Sequence, residues 1–291
     1  MFEQLTILAP GLIGTSVAMA AKGKNLVRRI TVWSRRAETR AACSNLPWCD
    51  KVFEHPEQAV AGSDFIVVCS PVESICPLVN NIANNLKKGA IVTDVGSTKS
   101  LICRFCSEVV PPSTAFIGSH PMAGSEKAGL NHGKADLFLH KPCFVTPLVN
   151  SDILALDKVV SFWRELEMVV STVSPEKHDE IVANISHLPH ILASILCSYL
   201  ASKDNTWGSL AGNGLQDVTR IASGDPNLWK SIIKENRDEI IRAINDFDEE
   251  LHVMKTAIAN DQYFEVINLL ERGKKYRDRL RLSNNIFDIK E

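Results

Sequence analysis

The segment Leu5-Thr6-Ile7-Leu8-Ala9-Pro10-Gly11-Leu12-Ile13-Gly14 runs an apolar strand into a tight glycine turn and on into a helix. It carries the G-x-G-x-x-G register with alanine in the first place. That register has a physical basis. Gly11 lets the backbone approach a pyrophosphate, and Gly14 lets the helix pack close on the strand. The helix N-terminus adds free N–H groups and the positive end of its dipole. A lone glycine pattern is weak, but here it follows a strand and opens a helix, the context the motif requires. Pro10 is unusual because it removes one N–H and fixes φ. Gly11, Leu12, Ile13 and Gly14 are expected to bind a dinucleotide, together with Ser70 just past a later strand.

Outward from this loop, short apolar runs suggest strands over 5–9, 30–34, 65–69, 91–94, 115–118, 144–146 and 169–173. They are nearly continuous in apolar character, as strands covered on both faces are. Helical patterns lie between several of them, for example over 16–23 and 75–86. The alternation predicts an α/β fold, an N-terminal Rossmann doubly wound parallel sheet. After about Ser174 the pattern turns helical, over 176–202, 214–222, 228–257 and 262–282. Pro175 and Pro226 sit where helices can begin. The expected division is a dinucleotide-binding domain over 1–173 and an all-α C-terminal domain over 174–291, for substrate and dimerisation. The substrate is expected in the cleft between them.

Composition narrows the class. The chain has 291 residues and a formal net charge of -2, so no strong field favours nucleic acid or an anionic membrane. No apolar run reads as long enough to span a bilayer. The N-terminus enters a strand without a basic leader, which predicts a cytoplasmic protein. Eight cysteines read as small core residues. Cys103 and Cys106 form a lone C-x-x-C without a second pair, so they read as two turns of one helix rather than half a zinc site.

The second strand ends Val32-Trp33-Ser34-Arg35-Arg36. An NAD enzyme would normally place Asp or Glu there for the ribose 2′-hydroxyl. A hydroxyl and two guanidinium groups suit a 2′-phosphate instead. Ser34, Arg35 and Arg36 therefore predict NADP over NAD.

Four segments set polar groups in apolar surroundings: Asp94 to Lys99, Gly118 to Glu126, Ser186 to His190, and Asp217 to Ala222 with Trp229 following. With the glycine loop, they make the chain resemble the prephenate/arogenate dehydrogenase family of tyrosine biosynthesis over almost its whole length. Ala9 departs mildly from the family loop, and Ser34-Arg35-Arg36 resembles its NADP-using members. No segment reads as a fused mutase or regulatory domain. The resemblance implies oxidative decarboxylation of a cyclohexadienol, prephenate or arogenate. A hydride passes to the nicotinamide, carbon dioxide leaves, and the ring becomes aromatic.

The resemblance also assigns roles. His120, expected at a strand end stopped by Pro121, takes the hydroxyl proton, a task suited to histidine near neutral pH. Ser97 contacts the nicotinamide region or the substrate hydroxyl. Arg220 grips a carboxylate, with Asp217 three residues earlier as a possible orienter. His190 faces the substrate side chain and His187 stands behind it. Glu126 gates or polarises the site, and Trp229 lines the pocket. His178 and Asp179 match the family and help order the site. His187 and His190 lack a third ligand, so no metal is expected. The alternatives are a β-hydroxyacid-type dehydrogenase, which would rely on a lysine in the helical domain, and a non-catalytic dinucleotide-binding regulator. A homodimer through the helical half is expected, with a small-molecule substrate and neither nucleic acid nor membrane as partner.

Overall fold

The computed structural model describes residues 2–124 and 129–288, and the side chains among them other than those of Asn205 and 281–288. The chain forms two compact units, Met1–Arg237 and Asp238–Glu291. The first is built on a six-stranded parallel sheet. Its strands are β1 (Phe2–Leu8), β2 (Val27–Trp33), β3 (Lys51–Phe53), β4 (Phe65–Val68), β5 (Ile91–Asp94) and β6 (Ala115–Phe116), in the order β3-β2-β1-β4-β5-β6. β1 pairs in parallel with both β2 and β4, so the winding direction reverses between β1 and β4.

Side-chain alternation divides the core. Phe65 and Val67 join Val17, Ala21, Val159 and Trp163 in one cluster. Ile66 and Val68 join Val60, Ile75, Val79 and Ile102 in the other. One face of the sheet is thus covered by α1 (Leu12–Gly23) and α6 (Ile153–Glu165). The other is covered by α3 (Pro56–Val60), α4 (Val72–Ile82) and α5 (Ser100–Val109); a short α2 (Ala37–Cys43) follows β2. The central strands β1, β4 and β5 are buried on both sides, which explains their continuous apolar runs.

The sequence expectation of one sheet needs correcting. The run expected over 115–118 breaks after Phe116. A new strand, β7 (Gly118–Pro121), pairs antiparallel with β8 (Pro142–Thr146), which pairs in parallel with β9 (Val169–Thr172). Pro121, opposite Cys143, is the last residue of β7, so the strand of His120 does stop there, but it belongs to the small sheet rather than the parallel one. Gly118 permits the break: a Cβ there would stand 2.5 Å from Cys103 Sγ and 2.6 Å from Thr146 Oγ1. Cys103 and Cys106 are buried on α5.

Helices follow β9 in the same unit. Ser174 caps α7 (Pro175–Val182), accepting a hydrogen bond from Lys177 N at 3.1 Å. A π-helical turn (Ala183–His187) joins α7 to α8 (Leu188–Ala201). By length and apolar composition alone, these 27 residues could cross a bilayer. About a third of their apolar window is buried, and they carry buried His178, Asp179, His187 and His190. α9 (Asn213–Thr219) and a short turn (Arg220–Ser223) lead to α10 (Pro226–Glu235), capped by Asp225. The helix expected over 228–257 is broken at Asn236, after which α11 (Arg237–Ala259) begins. The second unit holds most of α11 and α12 (Tyr263–Asp288).

Candidate active site

Three buried side chains form a hydrogen-bonded row. Asp179 Oδ1 accepts from His178 Nδ1 at 2.8 Å, and His178 Nε2 lies 2.9 Å from His120 Nδ1. Asp179 is also the acceptor for Lys99 N and Ser100 N, each at 2.8 Å. Burial opposes its ionisation, yet the hydrogen bonds from His178 and Ser100 hold its carboxyl below the usual range. An ionised carboxylate only accepts, so His178 carries its proton on Nδ1 and presents a lone pair at Nε2. His120 must then donate from Nδ1, which leaves its Nε2 with a free lone pair. The row fixes one tautomer and aims one base.

Electrostatics keep that base neutral. Burial is the main cause, aided by His178, Lys99 and His187, and it pushes His120 well below the ordinary histidine value. His178 is lowered too, by burial, with Asp179 working the other way.

Beneath the row lies a fully buried ion pair, Lys99–Asp94. Asp94 ends β5 and also accepts from Gly96 N at 2.8 Å and Ser119 N at 3.2 Å. Gly96 is required there, since a Cβ would stand 2.8 Å from Asp94 Oδ2 and 2.8 Å from Ile75 Cδ1. The loop of half-buried Ser97 is thereby tied to the strand of His120. Thr98 Oγ1 adds a tie to α10, donating to Glu235 Oε2 at 2.7 Å. Burial raises the Glu235 carboxyl.

On the helical side, the ring of His190 stacks on Trp229 with centroids 3.4 Å apart and planes at 9°. His187 meets Trp229 edge-on at 5.9 Å. Gly224 makes room for the stack, because a Cβ there would lie 2.7 Å from Trp229 Nε1 and 2.9 Å from His190 Cε1. Asn236 Nδ2 donates to Asp179 O at 2.8 Å and to His187 Nδ1 at 3.2 Å. Burial lowers His187 to about 4 and lowers His190 as well. Arg220 opens the turn that packs on α8, and its side chain is exposed. Among the described residues no ion pair joins it to Asp217, contrary to the expectation. Glu126 lies outside the described residues.

At the other end of the sheet's crevice, Ala9 takes the left-handed conformation, φ 63°, where the motif normally has glycine. A Cβ on Gly14 would stand 2.9 Å from Ile7 Cγ2 and 3.1 Å from Cys69, so this glycine serves packing. A Cβ on Gly11 would meet nothing within 4 Å, so this glycine faces open space. Thr15 Oγ1 and Ser70 Oγ are buried without a protein partner. Open backbone, orphaned hydroxyls and a helix N-terminus at the switch point fit a dinucleotide pyrophosphate. At the end of β2, Ser34 is buried and accepts from Arg36 N at 3.3 Å, while the side chains of Arg35 and Arg36 are exposed. Arg40, which the sequence reading missed, donates to Ser34 O at 2.9 Å and Arg35 O at 3.1 Å, and pairs with Glu54.

This architecture has matches among known proteins. The family model "Prephenate dehydrogenase, nucleotide-binding domain" matches residues 17–172, and "Prephenate dehydrogenase, dimerization domain" matches 174–272. The chain belongs to the prephenate dehydrogenase family. It is an oxidoreductase of tyrosine biosynthesis with prephenate/arogenate dehydrogenase activity. It is 29% identical to the prephenate dehydrogenase of Bacillus subtilis over 97% of this chain and 77% of that protein. To the cyclohexadienyl dehydrogenase of Zymomonas mobilis it is 27% identical, over 98% and 99%. The crystal structure of Aquifex aeolicus prephenate dehydrogenase with hydroxyphenyl propionate and NAD+ superposes with a TM-score of 0.90 at 27% identity, covering 96% of this chain and 99% of that one. Synechocystis arogenate dehydrogenase gives 0.84 at 26%, covering 95% and 99%.

Within this family member, the expected site residues gather in three places. His120 joins the buried row, while His187, His190 and Trp229 gather at the helical stack. Gly11, Gly14 and Ser70 line the glycine-loop end of the crevice. Lys99, Asn236 and Gly224 were not singled out from sequence. Their weight comes from contacts across 80, 57 and 49 residues in the first two cases, which no local pattern announces.

Proposed function

We propose that this chain oxidatively decarboxylates prephenate, to 4-hydroxyphenylpyruvate, or arogenate, to tyrosine, with NADP preferred over NAD. The observation that carries the reading is the His120–His178–Asp179 row, because it leaves one neutral imidazole nitrogen as a proton acceptor. Bound nicotinamide supplies the two-electron acceptor. His120 Nε2 takes the hydroxyl proton, and the resulting positive charge is shared along the row toward Asp179. Ser97 would contact the nicotinamide region or the substrate hydroxyl. Arg220, His190 and His187 take the carboxylate-bearing end of the substrate against Trp229, with Glu126 at its margin. Loss of carbon dioxide then aromatises the ring.

The NADP preference rests on β2 ending in Ser34, Arg35 and Arg36 with no acid. Arg40 holds the carbonyls of that turn and leaves the exposed Arg35 and Arg36 guanidiniums for a 2′-phosphate. We also take 1–173 as the dinucleotide-binding part, 174–291 as the helical part, the assembly as a homodimer and the location as cytoplasmic. Assaying prephenate and arogenate against NADP and NAD tests the reading. A tenfold preference for NAD would end the cofactor proposal, and no turnover in any of the four combinations would end the substrate proposal.

A further inference from the structure

Fully burying a charged pair is costly unless the surroundings use it. Lys99 and Asp94 are each 0% exposed, yet neither faces solvent chemistry. The pair instead joins three parts of the site. Asp94 holds Gly96 N, ahead of Ser97, and Ser119 N, one residue before His120. Its own carbonyl accepts from Ser119 Oγ at 2.6 Å. The backbone of Lys99 donates to the same Asp179 oxygen that orients His178. The Lys99 stem runs beside Gly118, its Cδ 3.3 Å from where a Cβ would stand. We propose that Lys99, paired with Asp94, is a positioning residue for the reaction: the buried pair locks the strand of His120 to the loop of Ser97, and its ammonium sets a positive charge beside the two imidazoles.

The charge has a consequence that a purely structural lysine would lack. Among the described residues, the titratable and charged groups around His120 are Lys99 and Asp94 from the β5–α5 connection, His178 and Asp179 from α7, His187 from the π turn and Cys143 from β8. Of these, Lys99 is the cation. It disfavours protonation of His120 and His178, and so keeps the acceptor nitrogen free at lower pH. Asp94, held by Gly96 N, Ser119 N and the ammonium, works the other way on His178 and offsets part of that field.

The test compares the parent with Lys99→Met and with Asp94→Asn/Lys99→Met, reading the pH profile of kcat/KM together with cofactor affinity. The double variant leaves no charge unpaired in the interior, so it carries the test alone if Lys99→Met does not fold. The expected result is an acid limb displaced to higher pH by about one unit or more in Lys99→Met, and in the same direction in the double variant. Turnover on the plateau should fall about 10- to 100-fold as His120 loses its register. A limb that stays in place, or moves to lower pH, with cofactor affinity retained, would overturn the proposal. This inference rests on His120 as acceptor, and His120→Asn separates the two. An acid limb surviving in that variant counts against the acceptor, whereas one lost there but unmoved by the lysine substitution counts against the pair.

Discussion

His178 Nε2 stands 2.9 Å from His120 Nδ1, and because Asp179 claims the proton on the far side of His178, the ring of His120 can present only a lone pair at its outer nitrogen. The chemistry of the site follows from this tautomer more than from either histidine alone. Its consequences can be measured.

Asp179→Asn replaces an obligate acceptor with an amide of the same shape. The row then loses what fixes its tautomer, as when the carboxylate partner of a catalytic histidine is removed. kcat should fall about 100- to 10,000-fold with cofactor binding preserved, and steady-state kinetics with cofactor titration check it. Three hydrogen bonds to Asp179 are also weakened, so a lower Tm should accompany the loss.

Activity should fail on acidification, below the pH at which ordinary histidines titrate. His120 must be neutral to accept a proton, and burial holds it neutral well below the usual value. The acid limb of kcat/KM therefore lies below about 6.5. Stability has the same sign. His187 is lowered to about 4 from an ordinary 6.5, so the unfolded chain binds more protons between those values. Stability is lost as pH falls through that window, by on the order of 3 kcal/mol at most from this group. Thermal melts between pH 7 and pH 4 check this, and His187→Phe should flatten the slope.

The two glycines of the loop should separate. Gly14→Ala forces a methyl within 2.9 Å of Ile7 Cγ2, so it should cost about 1–3 kcal/mol of stability. Gly11→Ala meets nothing within 4 Å, so it should fold normally while binding the dinucleotide at least about tenfold more weakly, since close backbone approach is lost. Melting temperature and cofactor Kd, measured on both, distinguish the roles.

Gly224→Ala should raise KM for the substrate and leave cofactor affinity alone. Its methyl would collide with Trp229 Nε1 at 2.7 Å and His190 Cε1 at 2.9 Å and so part the stacked rings. Initial-rate kinetics over both substrates give the answer.

Much of this was legible in the sequence. The glycine loop and continuous apolar strands specify a doubly wound sheet because both demand cover on two faces. The small sheet was not legible. β7, β8 and β9 are four or five residues each and look like further members of a parallel series, and the close fit of Gly118 against Cys103 and Thr146, where the chain leaves that series, is not visible in local pattern. In the site, His120 and His190 stand in polar clusters that a sequence shows plainly. Lys99 only closes the polar segment that begins at Asp94, and Asn236 lies within an apparently continuous helical pattern. Each matters for a partner far along the chain, which spacing does not encode. Arg220 is the reverse case: a helical neighbour at three residues suggested Asp217 as its support, yet the helix gives way to a tighter turn at Arg220 and no ion pair forms.

The most direct test of the account is kcat/KM of His120→Asn with its carboxylated substrate and saturating cofactor. The substitution keeps the size and polarity of the site but removes the free lone pair at the position of Nε2. kcat/KM should fall about 100- to 10,000-fold, the range a positioned general base contributes, with cofactor Kd unchanged. Turnover at the parent's rate with cofactor bound would contradict it.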